Sequence, residues 1–325
     1  MGLVARLDGV QRRHPAAGFP LAVLYKYVDD QGGYLAALIA YYAFVSLFPL
    51  LLVLSTVLGL VLVGHPALQE QVLHSALSQF PVIGDQLGQP RRLGGGIGGL
   101  VIGVLGALYG GLGVAQAAQN MMNTAWAVPR NDRPNPFKAR GRSLLLLATV
   151  GVALLGTTVI SALGGGLGAF GPPARVLLLV ASVALNAGAF VLAFRIATTR
   201  ELTVAQVAPG AVAAALIWQL LQSFGAVYVG KVVAGASATN GVFAVVLGLL
   251  AFLYLTATAA VLCVEVNVVT VDHLHPRALL TPFTDHVDLT PGDRRAYTSQ
   301  AEAQRSKGFE DINVTFTPED PDKTS

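Results

Sequence analysis

Residues 41–52 read YYAFVSLFPLLL, an apolar run interrupted by two tyrosines, a serine and a proline. The surrounding segment, Leu35 to Gly64, contains no charged residue. It is longer than the roughly 20 residues that cross ~30 Å of hydrocarbon as a helix. Within such a helix Pro49 lacks an amide hydrogen and its ring meets the carbonyl of Val45, so the span should kink or widen there. Ser46, three residues earlier, can offer its hydroxyl to the freed backbone groups. Tyr42, Ser46 and Pro49 share one helical face. Two readings stay open: the tyrosines form an interfacial belt, where an amphipathic ring suits the headgroups, or Tyr42, Ser46 and the kink line a polar cleft.

The whole chain fits the membrane reading of this stretch. It has 325 residues, 54% of them hydrophobic and only 12% charged, and its mean hydropathy is +0.61. Soluble domains run near one quarter charged. Six apolar segments stand out: Leu35–Gly64, Leu93–Ala115, Ser143–Phe170, Ala174–Ala197, Gly210–Gly230 and Val242–Val269. The expected fold is all-α, a six-span polytopic membrane domain over residues 35–270. A cytoplasmic arm with an interfacial helix (1–34) precedes it, and a largely disordered cytoplasmic tail (271–325) follows. The tail assignment rests on composition, since Asp, Glu, Pro, Thr, Gln and Ser dominate from about Asp285. The start, MGLVARLDGVQRRHP, lacks a signal-peptide pattern, so the first span is expected to act as its own insertion signal. Cys263 is the single cysteine, which excludes an intramolecular disulfide.

Of the 21 Lys and Arg, only Arg91, Arg92, Arg175 and Lys231 fall on one side of the six-span arrangement. The others fall on the side of the termini, which predicts both termini inside. Between spans one and two, HPALQEQVLHSALSQF (65–80) places Leu68, Val72, Leu73, Ala76, Leu77 and Phe80 at helical spacing opposite polar residues, the pattern of an amphipathic helix on the outer surface. FPLAVLYKYV (19–28) reads as a similar helix at the inner surface. In span two, Gly95, Gly99 and Gly103 form a ladder continued by Gly106 and Gly110. Small residues in such a row let helix backbones approach closely, so span two should sit centrally, and the ladder could also serve a homo-oligomer.

YYAFVSLFPLLL and its entry DDQGGYLAALIA resemble the signature of the YihY/virulence factor BrkB family of bacterial inner-membrane proteins. NTAWAVPRNDRPNPFKARGR after span two, VAPGAVAAALIWQLLQSFGAVYV for span five and CVEVNVV closing span six agree with it, in order. The resemblance runs from roughly Tyr25 to Pro276. It departs from the family pattern at Asn240-Gly241, where Tyr-Gly is usual, and at Cys263-Val264-Glu265, where small-small-Glu is usual. The resemblance implies a six-helix integral membrane protein with a part in transport or in the cell envelope. An old label for such proteins is ribonuclease BN.

The candidate site residues are polar groups inside apolar spans. Gln116, Gln119, Asn120 and Asn123 form a stripe at i, i+3, i+4 and i+7 on span two, and amides facing lipid would be costly. They either bond neighbouring helices or face water or a polar ligand. Gln219 and Gln222 repeat the idea on span five. Asn186 reads as structural glue. Arg195 near the inner end of span four and Glu265 near that of span six lie at matching depth, with Asn267 close by. They could pair structurally, or Glu265 could bind a cation or proton and Arg195 a lipid phosphate. Asp272, His273 and His275 follow the last span and read as a surface turn rather than a metal site. The basic loop PRNDRPNPFKARGR suits an anionic leaflet. No zinc ligand set, no nucleophile with its base and no carboxylate cluster for two metals is visible, so neither an enzyme nor a cofactor is expected, ribonuclease activity included. No nucleic acid partner is expected either. The function expected from these features is a transporter or lipid-translocating protein, with a polar cleft between spans one, two, five and six. The alternative is a structural protein of the envelope. With no ATP-binding domain, transport would run downhill or use an ion gradient.

Overall fold

The computed structural model describes residues 3–61, 96–167, 172–232, 238–281, 283 and 287–317. The expected outer amphipathic helix at 65–80, together with Gly95, Arg91 and Arg92, lies outside them. Two helices, α1 (Leu3–Arg13) and α2 (Pro15–Asp29), precede six long ones: α3 (Gly32–Val61), α4 (Gly96–Ala125), α5 (Pro136–Leu167), α6 (Pro172–Ala197), α7 (Val204–Val232) and α8 (Ala238–Val271). A short helix, α9 (Pro291–Glu302), follows. No strand occurs among the described residues. Segments within α4 to α8 are each long and apolar enough to cross a membrane, and Gly32–Leu47 of α3 is a shorter apolar stretch. The protein is thus an all-helical, multi-pass membrane protein.

The six long helices close into a ring. Each packs on its sequence neighbour and α8 returns to α3, while α4 reaches across to α6 and α8. The most extensive contact is between α3 and α4, and it explains the opening stretch. A Cβ added to Gly106 of α4 would lie 2.8 Å from Pro49 Cγ, and one added to Gly110 or Gly113 would overlap Ser46 or Tyr42. The steps 42, 46, 49 on α3 and 113, 110, 106 on α4 are the same antiparallel register. The continuation of the predicted row, Gly106 and Gly110, therefore packs on α3, and α4 is central in the ring. Its contact at Gly106 and Gly110 is intramolecular, and Gly113, outside the predicted ladder, completes it. Ser46 donates to the Ala43 carbonyl at 2.9 Å rather than to that of Val45.

The ends of the chain gather at one end of the ring. Helix α2 packs on α8 and α3, burying Ala22, Val23, Tyr25 and Lys26 and leaving Leu24 and Val28 exposed. It is the helix expected at 19–28, but one face is covered by protein. The tail departs from expectation more strongly. Residues 287–303 are ordered around a capping box, in which the Thr290 hydroxyl accepts from Asp293 N and the Asp293 carboxylate accepts from Thr290 N. Arg277, fully buried, donates to Asp29 at 3.0 Å and to Asp293, between the rings of Tyr25 and Tyr297. Gln300 donates to the Asp29 carbonyl at 2.7 Å, and Arg305 reaches Asn131 and Asp132 at 3.2 and 3.1 Å. Composition suggested disorder because this segment has no apolar face of its own; its partners are charged groups far away in sequence.

If α3 and α4 are held by that glycine face, Gly110→Leu should destabilise the protein by about 1–3 kcal/mol or more, the usual cost of overpacking. Gly98→Ala, where a Cβ meets nothing within 4 Å, should change little. Thermal unfolding of both variants in detergent checks this, and equal melting temperatures would refute it.

Candidate functional site

The amide stripe continues α4 a few turns past its most apolar part, and each member finds a different environment. Gln119, fully buried, donates to Ser143 Oγ at 2.8 Å and to the Ala139 carbonyl at 3.0 Å, both on α5. Asn123 accepts from the Thr198 hydroxyl and the Thr199 amide, each at 3.1 Å, tying α4 to the connection between α6 and α7. Asn120 accepts from Arg133 at 3.2 Å. Gln116 is exposed and has no hydrogen bond among the described residues. Half of the stripe is therefore interhelical bonding, and the other half lines space.

That space is a groove of about 590 Å³ lined by Leu38 and Tyr42 of α3, Tyr109, Leu112, Gly113, Gln116 and Asn120 of α4, and Arg140 and Ser143 of α5. Its position follows from the ring. Helices α3 and α5 both flank α4 with no comparable packing between themselves, so α4 forms a floor between two walls. Tyr109 is 65% and Leu38 41% exposed, so the groove opens sideways on the outer surface of the ring, where lipid lies. It grades from aromatic and aliphatic side chains at Tyr109 and Leu112 to amides, a hydroxyl and the guanidinium of Arg140 near the end where the chain termini gather. This groove lies between spans one, two and three, not between one, two, five and six, where the polar cleft was expected. Gln219 and Gln222 of α7 do not line it.

A second, polar cavity of about 360 Å³ lies nearer the termini, lined by Lys26, Asp29, Asp30, Asn120, Arg130 and Arg133 among others. Asn120 belongs to both. Behind its wall stands Glu265, the only acidic residue in α3 to α8 and fully buried. Arg195 is not its partner, because Arg195 donates to the Leu202 carbonyl at 2.8 Å. The cation near Glu265 is Lys26 of α2, with Nζ at 3.9 Å. Lys26 also donates to Asp30 and, at 3.0 Å, to the Ala125 carbonyl. Burial opposes the charge of Lys26, but Glu265 and Asp30 outweigh it and hold the ammonium above the ordinary lysine range. Burial pushes the carboxyls of Asp29 and Asp30 upward despite Arg277 and Lys26.

Glu265 is buried, and of the two readings the sequence leaves open for it, pairing with Arg195 does not occur. Lys26 counts in the sequence toward the basic-residue asymmetry, and its spacing of four from Asp30 is the local signal of their pairing. Arg140 belongs in the sequence to the basic loop PRNDRPNPFKARGR. Asn267 is structural. Its Oδ1 accepts from Gly210 N at 2.7 Å and its Nδ2 donates to the Val207 carbonyl at 3.1 Å, taking up backbone groups of α7 on either side of Pro209. Gly210 is needed there, since a Cβ would strike the Cys263 carbonyl of α8. Asp272 forms a two-point pair with Arg200 at 2.6 and 2.9 Å, and Arg200 lies over the Trp126 ring. Among the described residues no group of three His, Cys, Asp or Glu is placed to hold a metal ion.

Asn267→Ala should remove two hydrogen bonds to the α7 backbone, each worth about 0.5–1.5 kcal/mol, whereas Gln219→Ala, on a half-buried side chain, should stay within about 0.5 kcal/mol. Chemical or thermal unfolding in detergent measures both. A neutral Asn267→Ala would show that these bonds do not hold α7 to α8.

A family model described as Virulence factor BrkB matches residues 23–282. No curated protein and no solved structure matches the chain.

Proposed function

Because the chain belongs to the virulence factor BrkB family and carries a sideways-opening groove, we propose that it moves lipids or similar amphiphiles with an anionic headgroup across a bacterial inner membrane. The observation that carries this reading is the grading of the groove. Tyr109 and Leu112 offer an apolar stretch for acyl chains, while Gln116, Asn120, Ser143 and Arg140 cluster where a headgroup would sit. The volume lies within the usual range for ligand sites. Arg140 has no ion pair among the described residues, and a guanidinium matches a phosphate in two-point geometry. The end that carries the termini and most basic residues is assigned to the cytoplasm by the positive-inside rule, which puts Arg140 beside the anionic inner leaflet. The protein acts without a cofactor and without covalent chemistry in this reading.

A structural role in the envelope is the second reading. What favours it is that Gln119 and Asn267 serve interhelical bonds and Asn123 bonds the α6–α7 connection. One assay separates the two. Purified protein in vesicles containing fluorescent phosphatidylglycerol should bring inner-leaflet label within reach of an external quencher. Losing a charge-assisted hydrogen bond is worth about 1.5–3 kcal/mol, so Arg140→Ala should slow this roughly tenfold or more. Label accessibility equal to that of protein-free vesicles would exclude the transport reading and leave the structural one.

A further inference from the structure

The buried charges at the junction of α2, α8 and the tail do not balance. Among the described residues the buried acids Asp30, Glu265 and Asp293 and the half-buried Asp29 form ion pairs only with Lys26 and Arg277, while Arg130 and Arg133 line the cavity beside Asp29 and Asp30 without pairing to them. Three of the acids have fixed partners: Asp29 and Asp293 accept from Arg277, and Asp30 accepts from Lys26. Glu265 has none, for neither of its oxygens receives a hydrogen bond although the residue is fully buried. No other helix can help it. Helices α3 and α4 contain no charged residue, and α7 contains none but Lys231. The charged groups facing Glu265 are therefore those of α2 and its C-terminal turn: Lys26, Asp30 and, farther off, Asp29. A bare buried carboxylate is expensive, and such a group takes a proton instead. Between two neighbouring acids a hydrogen bond forms only when one of them carries a proton.

We infer that Glu265 and Asp30 share an exchangeable proton beside the Lys26 ammonium, loaded from the polar cavity at the end of the ring where the termini lie. Asp30 and Lys26 line that cavity and Glu265 lies behind them. The proton passes from cavity water to the Asp30 carboxylate and on to an oxygen of Glu265. Lys26 stays charged throughout, so the three side chains are neutral with the proton and carry one negative charge without it. A metal cation is disfavoured at Glu265, since the Lys26 ammonium already stands 3.9 Å away. Burial also favours the protonated form of Asp30. Asn120, held by Arg133, lines both this cavity and the lipid groove, which places the titrating pair next to the groove's polar end. The consequence that lipid movement responds to a pH gradient rests on the transport reading; the proton site itself does not.

Infrared difference spectra of the full chain in nanodiscs, recorded across pH steps, test the site. The wild type should show the carbonyl band of a buried protonated carboxyl at neutral pH, shifting in heavy water. Glu265→Gln should abolish it, Asp30→Asn should shift or abolish it, and Asp132→Asn, at an exposed acid, should leave it. Absence of the band in the wild type overturns the proposal without any variant having to fold. So does its persistence in both Glu265→Gln and Asp30→Asn, or its removal by sodium or potassium at constant pH. In the vesicle assay an imposed pH gradient should change the wild-type lipid rate and leave that of folded Glu265→Gln unaltered. Lipid movement indifferent to pH would overturn the coupling alone, and a band without lipid movement would overturn the groove reading while supporting the proton site.

Discussion

Contact between two backbones governs this fold. In a bilayer the apolar side chains of neighbouring helices gain little by leaving lipid for one another, so association depends on how closely the helices approach. Helix α4 presents Gly106, Gly110 and Gly113, and α3 answers with Pro49, Ser46 and Tyr42 in the same register. With α3 fixed on one flank of α4 and α5 tied to the other by Gln119, α4 becomes a floor and the groove between its neighbours follows. The residues that look out of place in YYAFVSLFPLLL are the ones that fit the glycine face. Tyr42 takes part in both roles, packing on Gly113 and lining the groove.

The end of the molecule that gathers its termini obeys different physics. Here the groups are charged and the helices short, and stability comes from ionic groups that neutralise and orient one another. Arg277 joins the end of α2 to the start of α9 through Asp29 and Asp293, and Arg305 joins the tail to the loop after α4. Removing one partner of such a buried set leaves an uncompensated charge, which costs far more than the pair contributes. Glu265 is the member left without a fixed partner, at the point where this charged layer meets the apolar ring.

The polar side chains of the spans illustrate how one residue type takes two roles. Gln119 and Asn123 are buried and bond α5 and the α6–α7 connection, so they hold the ring together. Gln116, on the same stripe, is exposed in the groove. Their spacing along α4 is identical in kind; which one meets protein and which meets open space depends on where α5 and the α6–α7 connection happen to lie.

The sequence by itself determined the membrane class, the family and the places where polarity is exceptional, because hydropathy, basic-residue asymmetry and helical periodicity are local properties of a chain. It also marked Tyr42, Ser46, Pro49, the glycine row and Glu265. Tertiary structure alone decided what each of these meets. The sequence places Arg195 and Glu265 at similar depth, yet depth along a helix says nothing about rotation around it, and Arg195 turns to the Leu202 carbonyl while Glu265 turns to Lys26. The order of the tail was hidden for a related reason: its anchors, Asp29, Arg277 and Asp293, are charges that composition counts as signs of disorder until a fold brings opposite signs together in a buried place.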